Sequence, residues 1–183
     1  MKKIFIATIA VMGLTACVNS GTKSVKGTVV DATMNTVTVK GENGDTLTFS
    51  TMDADKSEAY GLLLGSPVNV EYTEKISEVT PASKISSCPT YFEAVGRWVI
   101  ADPLDDANVM GVELQVEGVA QSINMATLVY SSWELTDEPG IITITGQSIG
   151  NDQTIDFSEK AIIAKDADGR MTLTVEDIVY FKQ

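Results

Sequence analysis

Beyond residue 25 the chain alternates apolar and polar positions in short bursts. Val37 and Val39 are interleaved with Thr36 and Thr38, and Leu47 and Phe49 with Thr46 and Thr48. The same period of two returns at Val68, Val70 and Tyr72, at Val112 to Val116 and in part of Ile123 to Tyr130. It continues at Ile142 and Ile144, Ile155 and Phe157, Met171 to Val175 and Val179 to Phe181. A period of two places successive side chains on opposite faces of a strand, so each burst predicts a half-buried β-strand. Turn residues punctuate them: Glu42-Asn43-Gly44-Asp45, Glu117-Gly118, Asp137-Glu138-Pro139-Gly140, Gly150-Asn151 and Asp168-Gly169. Asn-Gly is the strongest short hairpin signal among these. Asp53–Leu64 is the one helical candidate, capped by Asp53, interrupted by Gly61 and closed by Gly65-Ser66-Pro67. The pattern predicts an all-β chain built of barrels or sandwiches.

A change of composition divides it. Residues 75–90 carry Ser77, Thr80, Pro81, Ser83, Ser86, Ser87 and Pro89, which read as a linker. Before it, residues 25–74 offer three strands, a short helix and a closing strand, a pattern that resembles an OB-fold barrel. After it, residues 91–183 hold about eight short strands and open with Gly96-Arg97-Trp98. Gly111-Val112-Glu113-Leu114, Ser122 to Leu128, Trp133-Glu134-Leu135 and Gln147 to Asn151 follow. Together these segments resemble the C-terminal lipocalin-like domain of Bacteroides-type lipoproteins. The resemblance implies that Gly96 permits a close backbone approach and that Trp98 lies across the barrel floor. Trp98, Met125, Tyr130, Trp133 and Phe157, with Tyr180 and Phe181, are candidates to line an apolar ligand pocket, with Trp133 towards the open mouth. The same residues can instead fill the interior, and small barrels favour filling.

The start of the chain has a different pattern. Lys2 and Lys3 precede an apolar run from Ile4 to Val11 that extends to Leu14, and Leu14-Thr15-Ala16-Cys17 closes it. A charged start, a short apolar core and small residues predict a secretory signal peptide over residues 1–16. Its end resembles the lipobox of bacterial lipoproteins. That resemblance implies cleavage before Cys17 and acylation of Cys17, with residues 17–24 as a lipidated tether to the membrane. Two or more acyl chains hold such an anchor firmly. No acidic cluster follows Cys17, unlike the surface-exported members of that group, which implies an outer-membrane lipoprotein facing the periplasm.

Charge and missing residue types narrow the chemistry. The 183 residues carry a net charge of -12, which repels nucleic acid and anionic headgroups. No histidine is present, which removes the usual general base and zinc ligand. With Cys17 acylated, Cys88 has no intramolecular partner and reads as an incidental thiol. Asp53-x-Asp55-x-Ser57 and Asp166-x-Asp168-Gly169 lack the rest of a calcium loop. Asp105 and Asp106 sit in a loop composition, Ser131 and Ser132 have no histidine partner, and the methionines are scattered. No enzyme and no cofactor are expected. Two readings remain: a ligand-binding barrel, or an envelope interaction or stress-sensing protein with packed barrels and no ligand. The second resembles the envelope-stress lipoproteins that pair a lipocalin-like barrel with an OB-like domain, here in reversed order.

Overall fold

The computed structural model of the protein describes residues 21–183, so the expected signal peptide over residues 1–16 and the expected acylation site Cys17 lie outside the described residues. Seven strands make a first sheet: β1 (Lys23–Ala32), β2 (Thr36–Gly41), β3 (Thr46–Ser50), β4 (Asp55–Glu58), β5 (Pro67–Tyr72), β6 (Thr80–Pro81) and β7 (Lys84–Ser87). β1 pairs antiparallel with β2 and β5, and β2 with β3 around the Asn43-Gly44 turn. β6 and β7 are two parts of one bent segment. The first part runs parallel to β3 and the second antiparallel to β5. Between them the amides of Ala82 and Ser83 donate to the carbonyls of Ser50 and Glu71, at 3.0 and 2.8 Å. The sheet thus closes into a ring around Val29, Val37, Val39, Phe49, Val70 and Ile85, the buried phase of each alternating strand.

Two local expectations are corrected here. The stretch read as a linker, 75–90, is strand at Thr80–Pro81 and Lys84–Ser87 and enters a helix at Pro89. Its serines and prolines are exposed or half-buried, while Thr80, Ala82 and Ile85 are buried. The helix expected over Asp53–Leu64 does not form. Asp55 Oδ1 accepts the Ser57 amide at 2.9 Å, a local bond that competes with helical pairing. Asp55 N–H donates to Ser83 O, and β4 runs beside β7 with Lys84 paired to Glu58 at 2.7 Å. The apolar residues serve two cores rather than one helix face: Ala54, Ala59 and Leu62 pack on the first, Leu63 on the second.

The second sheet follows a six-residue helix, α1 (Pro89–Ala94). Pro89 suits the first helical position, where its missing N–H costs nothing. The strands are β8 (Gly96–Asp102), β9 (Asp105–Leu114), β10 (Ala120–Ile123), β11 (Leu128–Leu135), β12 (Ile141–Gly150), β13 (Gln153–Lys165), β14 (Met171–Val175) and β15 (Ile178–Lys182). Their order is β10-β9-β8-β15-β14-β13-β12-β11, all antiparallel. The two edge strands meet. Ser122 Oγ donates to Leu128 O at 2.7 Å and accepts the Tyr130 amide at 2.8 Å, and Val119 bridges to Ser132. The sheet is a nearly closed eight-stranded barrel, and the all-β expectation holds.

Candidate functional site

The two ends of the second barrel differ. At one end α1 forms a plug. Trp98 is fully buried there, and its indole Nε1–H donates to Ala94 O of α1 at 2.7 Å. Lys182, opposite Trp98 in the β8–β15 pair, puts its ammonium 5.1 Å from the indole ring and donates to Glu93 O at 2.5 Å. Burial lowers its pKa. Gly96 makes room for this arrangement: its φ is +141°, and a Cβ would stand 2.9 Å from Lys182 Cε.

Trp133 belongs to the same closed end, against the expectation that it lies at the mouth. It is buried, its ring lies 5.0 Å from that of Tyr91 in α1, and its Nε1–H donates to Gln115 O at 2.8 Å. β11 leaves the mouth at Leu128 and runs towards α1, which carries Trp133 to the far end. A bulge between Tyr130 and Ser132 resets the alternation of β11 and turns Trp133 inward beside Ile144. Tyr91 also connects the two sheets: its hydroxyl donates to Leu64 O at 2.6 Å and accepts the Glu117 amide at 2.7 Å. Gly65, at φ +80°, allows the approach, since a Cβ there would meet Glu117 Cα at 3.0 Å.

The opposite end is open. A depression of about 400 Å³ is lined by Leu104, Met110, Met125, Leu128, Ile178 and Tyr180, with Asp102 and Asn124 on its rim. Leu104, at the tip of the β8–β9 hairpin, is 96% exposed. Asn124 Nδ2 donates to Val109 O at 2.7 Å and pins the β10–β11 loop to β9. Of the five pocket candidates read from sequence, Met125 lines this depression. Tyr130 lies beneath it, buried beside Tyr180, and burial pushes its hydroxyl pKa up. Phe157 packs edge-on against Tyr130 at 5.6 Å, while Trp98 and Trp133 fill the closed end. Below the depression the interior is packed with Val112, Leu114, Ile142, Ile144 and Leu173.

Sequence reasoning missed Leu104, Met110, Leu128 and Ile178, because a hairpin tip and a loop meet there only once the barrel closes. It also missed Glu159, although the signal was present. Ile155, Phe157, Glu159, Ala161 and Ile163 share one phase of β13, and Glu159 is the charged member of an apolar row. It stands opposite the fully buried Ile144, so its side chain faces the barrel interior. Desolvation, and then the nearby Glu176 carboxylate, raise its pKa above the ordinary carboxylate value. It also acts electrostatically on Tyr130 and Tyr180.

Comparison with known proteins bears on this barrel alone. A family model described as lipocalin-like matches residues 92–183. A similar solved structure is a lipocalin-like protein from Bacteroides thetaiotaomicron VPI-5482. It is 40% identical, the match covers 49% of this chain and 95% of that one, and the TM-score is 0.41. No curated protein matches the chain.

Proposed function

This chain belongs to the lipocalin-like family, and from that premise we propose that it is a non-enzymatic envelope lipoprotein whose barrel mouth takes a small apolar or amphipathic ligand. The observation that carries the reading is the open depression of about 400 Å³, lined by aliphatic and thioether side chains over a tyrosine pair. Ligand sites of that size and lining, apolar with a few polar groups, are the common kind. The lower barrel is filled and the upper barrel is not, so the ligand seats at the mouth and leaves the core intact.

The sequence from Leu14 to Cys17 supports tethering through acylated Cys17, on the periplasmic face of the outer membrane. The first unit fits an OB-like barrel: β1 pairs with both β2 and β5, and the bent β6–β7 segment joins β3 to β5. In this arrangement it stands between the anchor and the ligand barrel. Metabolic labelling with a palmitate analogue tests the anchor; label on the wild type that is lost in Cys17→Ser is the expected result.

Titration with the neutral probe N-phenyl-1-naphthylamine tests the mouth. Saturable enhancement is expected, and Leu104→Asp should weaken it several-fold without lowering the melting temperature, because Leu104 is almost wholly exposed. The competing reading is an interaction protein with packed barrels, which the filled lower interior favours. Absence of saturable binding in the wild type would choose it.

A further inference from the structure

We propose that the barrel mouth selects a cationic amphiphile, with the inward-facing Glu159 taking an ammonium head and Leu104, Met110, Met125 and Leu128 taking the apolar body. The inference rests on the mouth being a ligand site. It starts from register. β14 ends at Val175, opposite Ala161, so beyond that pair β13 continues past its neighbour towards the mouth. Glu159 is two residues into this extension, on the inner phase and flanked by the Glu176-Asp177 turn that joins β14 to β15. That sets Glu159 one inward step beyond the Ala161–Val175–Ile178 row, beside the depression that Ile178 and Tyr180 line rather than among its lining residues.

Among the described residues no cation answers it. The ion pairs are Lys84–Glu58, Lys160–Glu138 and Arg170 with Asp166 and Asp168, and Lys182 sits at the opposite end over Trp98. The ionisable groups that couple electrostatically to Glu159 are a second carboxylate, Glu176, and two tyrosines, Tyr130 and Tyr180. A desolvated carboxylate without a partner is unfavourable, and a charge-assisted hydrogen bond from an ammonium group relieves it. Asp102 on the rim and the net charge of -12 draw a cation in and turn an anionic head away.

Three probes with one chain length separate head from body: decylamine, 1-decanol and decanoate, each titrated calorimetrically into the purified chain at pH 7. Decylamine should bind about tenfold more tightly than decanol, which corresponds to about 1.4 kcal/mol, and decanoate more weakly than either. Glu159→Gln should bring decylamine to within about threefold of decanol and leave decanol unchanged. Equal or tighter binding of decanol or decanoate in the wild type overturns the inference but keeps the mouth as a site. Binding of none of the three overturns both. The wild-type comparison stands even where the variant fails to fold.

Discussion

Trp98 and Glu159 are opposite cases of a side chain turned into the same barrel. Trp98 is fully enclosed, with its one polar atom bonded to Ala94 O. Truncating a buried aromatic costs about 3–5 kcal/mol, a large share of the roughly 5–15 kcal/mol available to a domain. Trp98→Ala should therefore unfold the second barrel or lower its melting temperature sharply by circular dichroism; a shift of a degree or two would remove Trp98 from the barrel floor. Glu159 behaves in the other sense. Its folded-state pKa lies above its unfolded value, so the folded chain holds the proton more tightly. The fold therefore loses stability as pH rises upward from the ordinary value of 4.5. Glu159→Gln should raise the melting temperature at pH 7, and the gain should vanish towards about pH 3, where both folded and unfolded carboxyls are protonated. A lower melting temperature at pH 7, or a gain independent of pH, would show that the carboxylate is not under strain. The tryptophan was legible because a three-residue signature announces it. The glutamate was equally written in the alternation of β13, as a charge in the apolar phase, but a sequence does not say which strands outrun their neighbours.

At the scale of elements, the short strands were readable and their partners were not. The Asn43-Gly44 hairpin follows from turn chemistry alone. The β6–β7 segment did not, because its buried phase is carried by Thr80, Ala82 and Ile85 among serines and prolines, and composition outweighed period. The helix expected at Asp53–Leu64 failed because its apolar residues are divided between two cores. α1 is the element that joins them. Tyr91 satisfies Leu64 O on one side and the Glu117 amide on the other. Tyr91→Phe leaves both groups without their partner, and stranded polar groups cost about 1–3 kcal/mol. A lower urea midpoint is expected; an unchanged midpoint would mean that the junction contributes no stability.

For the whole molecule, the two sheets carry separate cores. The second core draws on residues from Cys88 onward apart from Leu63. A fragment beginning at Pro89 should accordingly fold alone, with β-type circular dichroism and a cooperative melt; an unstructured fragment would show that the first unit completes the second core. The central claim is that the second barrel holds a ligand at its open mouth. The chain's own methionines report it most directly. Met110 and Met125 line the depression, whereas Met34 lies in the β1–β2 turn, Met52 after β3, and Met171 in β14 outside the mouth lining. With methyl-labelled methionine, titration with 1-decanol should shift the Met110 and Met125 resonances together along one saturable curve and leave Met34, Met52 and Met171 in place. Resonances that all stay fixed, or that drift alike without saturation, would contradict a ligand site at the mouth.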